Sequence, residues 1–181
     1  MENEPRVMFL KGANVYLRPL SEEDVPFLLA HINDEETRQF LTVNHPVTLY
    51  QEKEWLKRQS EDKSQIVLGI VLIQTDQLIG TIGLHKIDSV NQTAEVGCAI
   101  HKEHVSKKYG SEAGELLIGY AFNTLNLRKL NARAFSCNER SVGLQLKGGF
   151  KKEGCLVKEV FRNGAYQDVL CFGLFREDFC K

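Results

Sequence analysis

The sequence predicts a single domain of the α+β class, built on a mixed and mostly antiparallel sheet with flanking helices. The predicted elements run in the order strand, two helices, three strands, helix, strand, helix and two strands. A strand–helix–strand unit, whose two strands run parallel, therefore lies inside a series otherwise joined by hairpins. The 181 residues are 43% hydrophobic and 26% charged, which is ordinary for one globular core. No linker, repeat or low-complexity tract divides residues 1–181.

The first third of the chain is predicted to form a strand and two helices. Alternating apolar and polar residues over 14–20 predict a strand that Pro19 ends. Ser21, followed by three acidic residues, is typical of a helix start. Thr48 opens a second amphipathic helix, and residues 40–46 between the helices are predicted to be a loop.

The remaining elements are predicted from alternation, apolar runs and turn residues. Asp76 and Gln77 separate two apolar strands that form a hairpin, and Asn163 and Gly164 separate two more. Asn138 caps a short helix that ends at two glycines. The predicted strands cover residues 66–73, 78–84, 93–100, 129–137 and two runs within 150–175, and a longer helix covers residues 111–125.

Charge and hydropathy exclude several classes of partner. A formal net charge of -1 does not favour binding to nucleic acid or to an anionic membrane. No apolar run is long enough to span a bilayer. Residues 1–5 are polar and acidic, unlike a signal peptide, so we expect a cytoplasmic protein.

The five cysteines are expected to be reduced structural residues. Their number is odd and no two form a CxxC pair. Cys98, Cys137 and Cys171 lie in strand-like runs and are predicted to be buried. No metal site is expected, because Cys98 and His101 have no second pair to complete a four-ligand set. Five phenylalanines are predicted in the core: Phe122, Phe135, Phe150, Phe161 and Phe172.

The segment from residue 94 to residue 113 carries the strongest chemical signal. A strand runs through a short loop into a helix near Ser111, so unpaired backbone N–H groups and the positive end of a helix dipole meet there. Such an end suits an anion such as a pyrophosphate. Lys102, Lys107 and Lys108 add positive charge. A solvated basic loop is an equally good interpretation of this pattern alone.

Residues 94–113 resemble the acetyl-CoA-binding core of GNAT acetyltransferases, particularly the Rim-type branch that acetylates ribosomal-protein N-termini. A second block agrees with that branch: Asn138-x-x-Ser141, Gly149-Phe150, Glu153-Gly154 and Gly164-x-Tyr166-x-Asp168. The opening run from Tyr16 to Asp24 is also similar, so the resemblance covers residues 14–179. It implies the GNAT fold, in which two parallel strands splay apart. It also implies acetyl-CoA as co-substrate and direct transfer of the acetyl group to a primary amine, on a protein N-terminus or a small amine such as an amino sugar.

One departure from the family pattern bears on cofactor binding. The family's pyrophosphate loop reads Q/R-x-x-G-x-G/A, and its named positions are here Glu103, Ser106 and Lys108. Glycine lets the backbone adopt positive φ and approach a phosphate closely, whereas these residues add bulk. Gly110 is present as expected. Two functions stay open: an active N-acetyltransferase, or a non-catalytic module that binds acyl-CoA or a protein partner.

The resemblance also assigns candidate roles. Glu95 is the first candidate for the general base, and Glu159 is the second. The alternative for Glu95 is a surface carboxylate of the strand or a member of a cross-strand ion pair. Ser141 is the candidate acid for the leaving thiolate or a hydroxyl that binds it, because Gln145 stands where many relatives carry a tyrosine. A purely structural residue of the first helical turn is an equally good interpretation of Ser141. The acceptor pocket is expected between the N-terminal helices and the C-terminal hairpin, and a homodimer is a further expectation. Residues implied in cofactor binding are Cys98, Ala99, Ile100, Ser106, Lys107, Lys108, Gly110, Ser111, Asn138 and Ser141.

Overall fold

A computed structural model describes residues 7–179, which form one sheet with helices on both faces. The strands are β1 (Leu10–Lys11), β2 (Val15–Pro19), β3 (Ile66–Leu72), β4 (Leu78–Asp88), β5 (Thr93–Ile100), β6 (Lys129–Phe135), β7 (Lys151–Arg162) and β8 (Ala165–Phe175). They lie in the order β1-β2-β3-β4-β5-β6-β8-β7. The predicted α+β class is confirmed.

Five α-helices accompany the sheet within residues 7–179: α1 (Val25–Asn33), α2 (Glu35–Arg38), α3 (Leu49–Glu61), α4 (Tyr109–Asn123) and α5 (Glu139–Lys147). Local chemistry sets their starts. Thr48 and Gln51 form a reciprocal capping box at α3. Pro26 is tolerated because it lies in the first turn of α1, where its missing N–H costs no helical hydrogen bond. No helix of this part of the chain has the length and apolarity required to cross a membrane.

The feature of the sheet that creates a site is the separation of its parallel pair. β5 and β6 pair in parallel from Thr93↔Lys129 to Val96↔Ala132, and all other neighbouring strands are antiparallel. Beyond Val96, β5 continues to Ile100 without pairing to β6. The two strands therefore splay, as the resemblance predicts, and leave backbone groups free along the open edge.

Alternation along the strands divides the apolar residues between the two faces of the sheet. α4 packs Leu117, Ala121 and Phe122 onto one face, where they join buried residues of β4, β5, β6 and β8. α1 lies on the opposite face, where Phe27 packs against Tyr16, Val71 and Leu78. The main core thus lies under α4, next to the splayed strands.

Several expectations about individual residues were wrong. Cys98 and Cys137 are exposed and Cys171 is half-buried, although all described cysteines are free thiols. Cys98 pairs with Ile82 of β4 but lies where β5 has separated from β6, and Cys137 follows the end of β6. Phe161 is 56% exposed on the hairpin, whereas the other four phenylalanines are buried. Cys180 and the N-terminal residues 1–5 lie outside the described residues.

Candidate active site

A cleft of about 350 Å³ opens between β5, α4 and α5, where the parallel strands separate. One wall is the edge of α4, at Gly110, Ser111 and Gly114. Side chains of β5 and α5 line the other side, among them Cys98 and Leu144. A Cβ atom added to Gly110 would lie 3.5 Å from Ile100, 3.9 Å from Leu144 and 4.0 Å from Cys98. The missing side chain at this position therefore keeps the cleft open.

The N-terminus of α4 closes one end of the cleft with free backbone donors. The helix begins at Tyr109, two residues earlier than predicted, and no side chain caps it. Its first backbone N–H groups have no partner within the helix, and the helix dipole is positive there. This end of α4 has the donors that an anionic group such as a pyrophosphate requires.

The loop before α4 keeps glycine-like backbone geometry without glycine. Ser106 has φ 62° and Lys108 has φ 67°, both in the left-handed region. These are the two positions at which the family motif has its glycine or small residue. The sequence difference therefore adds side chains but preserves the backbone turn that directs the N–H groups of α4.

A carboxylate fixes the first turn of α4 against the N-terminal strands. Glu112 accepts hydrogen bonds from the backbone N–H of Asn14 at 2.7 Å, from its side-chain amide at 2.9 Å, and from the N–H of Val15 at 3.2 Å. Desolvation opposes the charge, yet these hydrogen bonds hold the pKa of Glu112 below its ordinary value. The donors at the start of α4 are thus held in place by β2.

Lys102 was expected to add positive charge to the anion site, but it is paired with carboxylates instead. Its ammonium lies 2.7 Å from the carboxylate of Asp34 and 3.8 Å from that of Glu36. Asp34 also caps α2 by accepting a hydrogen bond from the N–H of Thr37. The hydrogen bond from Lys102 is the main reason that the pKa of Asp34 falls to about 2. This pair ties the loop that precedes α4 to the end of α1.

A buried histidine lies beside the same loop. His31 of α1 is 5% exposed, and neither of its ring nitrogens has a hydrogen-bond partner. Its ring stacks on Phe27 at 5.4 Å and lies 5.8 Å from the ring of His101, the residue that follows β5. Burial, with a smaller contribution from His101, lowers the pKa of His31 to about 4. His31 is therefore neutral at neutral pH.

This burial predicts acid sensitivity of the fold. The folded pKa of His31 lies below its ordinary value of 6.5, so the unfolded chain binds the proton more readily. The free energy of unfolding should be at its full value above pH 6.5. It should fall by about 3 kcal/mol as the pH drops to about 4. Urea unfolding across this range should show the loss in the native protein and a much flatter profile in His31→Leu.

The matched control for this measurement is His45→Leu, because His45 is exposed. It should keep the native pH profile. An unchanged slope in His31→Leu would contradict the assignment of the acid loss to this histidine.

Glu95 lies on the face of the sheet opposite to α4. It pairs in register with Asn131, one residue before the strands separate. Its carboxylate lies 3.0 Å from the ammonium of Lys86 and 3.8 Å from Nε of Arg133. These residues line a polar cavity of about 310 Å³ together with Glu153. The ion pair that was the alternative role of Glu95 is therefore present. The carboxylate also lies close to the point where β5 and β6 separate.

The start of α5 brings together the remaining predicted residues. The side chain of Asn138 accepts a hydrogen bond from the N–H of Ser141 at 3.1 Å, which confirms Asn138 as the N-cap. Ser141 is half-buried in the first turn. Gln145 lines the cleft. Glu159, the second candidate base, is exposed on β7.

The acceptor pocket was expected between the N-terminal helices and the C-terminal hairpin, and these two parts of the chain meet beside α5. Arg162, in the C-terminal hairpin, donates a hydrogen bond at 2.7 Å to the carbonyl of Leu41, and the guanidinium of Arg140 lies 5.9 Å from the ring centre of Phe40. Asp168 accepts a hydrogen bond from the N–H of Lys158, which braces the irregular part of β7. Sequence reasoning singled out neither arginine, because both contacts join segments far apart in the chain. Within residues 7–179 there is no cluster of metal-ligating side chains.

Comparison with known proteins places these features in a family. Residues 14–151 match the model described as acetyltransferase (GNAT) domain. The chain is 29% identical to the SPbeta prophage-derived uncharacterized N-acetyltransferase YokL of Bacillus subtilis (strain 168), with 96% of each chain covered. It is 30% identical to the ribosomal-protein-serine acetyltransferase of Escherichia coli (strain K12), covering 70% of this chain and 84% of that one. The structure of spermidine N-acetyltransferase from Vibrio cholerae in complex with CoA and spermine matches with a TM-score of 0.86 at 26% identity, covering 91% of this chain and 97% of that one.

Proposed function

The chain belongs to the GNAT family of acetyl-CoA-dependent N-acetyltransferases, and from this we propose that it acetylates a primary amine on a protein N-terminus or a small molecule. The observation that carries the proposal is the cleft between β5, α4 and α5, which ends at an uncapped helix N-terminus. An apolar groove leading to a set of backbone donors suits a ligand with a long arm and a pyrophosphate.

We infer how the chain holds acetyl-CoA from its free backbone groups. The pyrophosphate would accept hydrogen bonds from N–H groups between Lys108 and Ser111, with Ser106 and Lys107 at the rim. The pantetheine arm would pair with the unpaired edge of β5 at Cys98, Ala99 and Ile100, and Asn138 would face it from α5. Side chains contribute little to this mode of binding. Ser106 and Lys108, which stand where the family motif has glycine or a small residue, are therefore compatible with it.

In the proposed reaction, Glu95 accepts a proton from the incoming ammonium, directly or through water. The free amine attacks the thioester carbonyl, a C–N bond forms, and the C–S bond breaks. As the C–S bond breaks, the attacking nitrogen loses its extra proton, and Ser141 relays a proton to the leaving thiolate and is reprotonated by the one that the nitrogen releases. The place of Ser141 in the first turn of α5 supports this role.

The relatives support more than one acceptor. One acts on a ribosomal protein and another on spermidine. A Rim-type acceptor, the N-terminus of a protein, therefore remains one proposal beside a small amine. The alternative of a non-catalytic module rests on the bulk of Ser106 and Lys108 alone, and their left-handed backbone weakens that support.

Thermal unfolding with added acetyl-CoA tests the proposal, with CoA and adenosine diphosphate as comparators. A ligand at a hundredfold excess over its dissociation constant stabilises the folded state by about 2.7 kcal/mol. We expect acetyl-CoA to raise the midpoint clearly, and an amine screen on the same sample to release free CoA. No shift at millimolar acetyl-CoA would overturn the enzyme proposal. A shift without turnover of any amine would favour the non-catalytic module.

A further inference from the structure

Arg162, at the end of β7, spans the two boundaries of the expected acceptor pocket. Its guanidinium donates to the carbonyls of Leu41 at 2.7 Å and Phe161 at 2.9 Å, and lies 5.5 Å from the ring centre of Phe135. Phe135 is the last residue of β6, just before α5. Arg162 is therefore fixed where the Leu41 segment, the hairpin and the splayed strand meet.

This arginine has no counter-ion among residues 7–179. Both of its acceptors are neutral carbonyls, and its Nε is buried without a hydrogen-bond partner. A guanidinium has five N–H donors, so with two in use three have no protein acceptor. A half-buried cation that lacks an anion is costly, because desolvation is not offset by a paired charge. A bound anion would offset that cost.

A second arginine lies on the other side of the same segment. Arg140, the residue before Ser141, is exposed and lies over the ring of Phe40. It has no carboxylate within ion-pair distance in the described part of the chain. Two unpaired guanidinium groups thus flank the segment formed by Phe40 and Leu41, next to the candidate thiolate acid.

The carboxylates nearby do not neutralise these arginines. Asp34 and Glu36 are engaged by Lys102. Glu139 and Glu159 are exposed, where water and salt screen their charge. Arg162 differs from these exposed groups because it is half-buried and has only neutral acceptors in the described part of the chain, and its charge disfavours a polycationic amine.

We propose that the acceptor is a primary amine carrying a carboxylate or phosphate group, and that Arg162 and Arg140 bind this anion. The proposal deepens the proposed function and rests on it. Arginine matches both anions, because its planar donors bind two oxygens at once. An amino sugar phosphate and a peptide with an acidic second residue both have this chemistry, and a spermidine-like polyamine does not.

Matched pairs of amines test the proposal on the intact protein with saturating acetyl-CoA. One pair is glucosamine and glucosamine 6-phosphate, another is the dipeptides Ala-Lys and Ala-Asp, and spermidine is the polycation. We expect kcat/KM for the anionic member to exceed that of its partner by at least about tenfold, since a charge-assisted hydrogen bond discriminates by that order. The pair with the larger ratio identifies the source of the anion. Equal rates within both pairs, or a preference for spermidine, would overturn the proposal.

Arginine variants show whether the preference comes from these residues. Arg162→Met and Arg140→Met should each reduce the anionic preference several-fold through the KM of the amine, and Arg162→Lys should retain part of it. Arg128→Met is the control, because Arg128 is exposed and donates to the carbonyl of Asn91, away from the pocket. It should keep the native preference. A preference that survives in both methionine variants would refute the role of the arginines.

A second measurement distinguishes a protein without catalytic activity from one without the anion site. If no amine is turned over, the same pairs are titrated calorimetrically into CoA-saturated protein. Selective binding of the anionic member that is lost in Arg140→Met would support the anion site without catalysis. Binding without selectivity, or no binding, would overturn it. Arg140 is exposed, so its substitution should leave the unfolding midpoint unchanged even if Arg162→Met loosens the hairpin.

Discussion

Gly110→Val should weaken acetyl-CoA binding by about 10- to 100-fold while the protein stays folded. The new side chain would occupy the cleft, where even a Cβ atom lies within 4.0 Å of Ile100, Leu144 and Cys98. Filling a close-fitting space costs about 1–3 kcal/mol, and each 1.4 kcal/mol is a factor of ten in affinity. Isothermal titration calorimetry with acetyl-CoA measures the change directly.

The control for this variant lies on the same helix. A Cβ atom at Gly119 has no neighbour within 4 Å, so Gly119→Val introduces the same residue into α4 without entering the cleft. Valine is a somewhat better helix former than glycine, so neither variant loses helix propensity, and only Gly110→Val should lose affinity. Equal affinity in the two variants would show that the cofactor lies elsewhere.

Glu95→Gln should lower kcat by about 100- to 10,000-fold, which is the range that a positioned general base contributes. The KM of acetyl-CoA should stay the same, because Glu95 lies on the face of the sheet opposite to the cleft. The substitution preserves the shape of the side chain but removes its negative charge and its ability to accept a proton. Steady-state kinetics with a saturating amine separates the two parameters.

A second variant separates catalysis from the ion pair. Lys86→Met removes the partner that lies 3.0 Å from Glu95 and leaves the carboxylate in place. If Glu95 is the base, this variant should retain activity while Glu95→Gln loses it. If the carboxylate serves only the ion pair, both variants should show the same small loss of stability and nearly native rates. That second pattern would move the search for a base to a water chain or another acid.

Most of the sheet could be predicted from sequence because its strands are long and strongly patterned. β3, β5 and the C-terminal hairpin appear where apolar alternation and turn residues predict them. β1 and α2 were missed because they contain two and four residues, too few for a periodic signal. α2 exists because Asp34 caps it while pairing with Lys102, a residue 68 positions away.

The candidate site was predictable where it depends on backbone, and less so where it depends on distant side chains. The splay, the open edge of β5 and the free end of α4 follow from the order of elements and the resemblance. The partners of Glu95 and the contacts of Arg162 depend on how strands and loops meet in three dimensions. Exposure of Cys98 was mispredicted for the same reason, since a strand residue is buried only if a neighbour covers it.

The left-handed backbone of Ser106 and Lys108 affects how much the loop would have to reorder each time that it binds a pyrophosphate. A residue with a side chain costs about 1–2 kcal/mol in this conformation, whereas glycine adopts it freely. Glycine also allows many other conformations, which an empty loop would sample and lose on each binding event. In this chain folding itself selects the turn, held by Lys102 and Glu112 on either side. In the proposed mode of binding, the strain is stored in the protein before acetyl-CoA arrives, so each cycle of cofactor capture and release would require less reordering of the backbone.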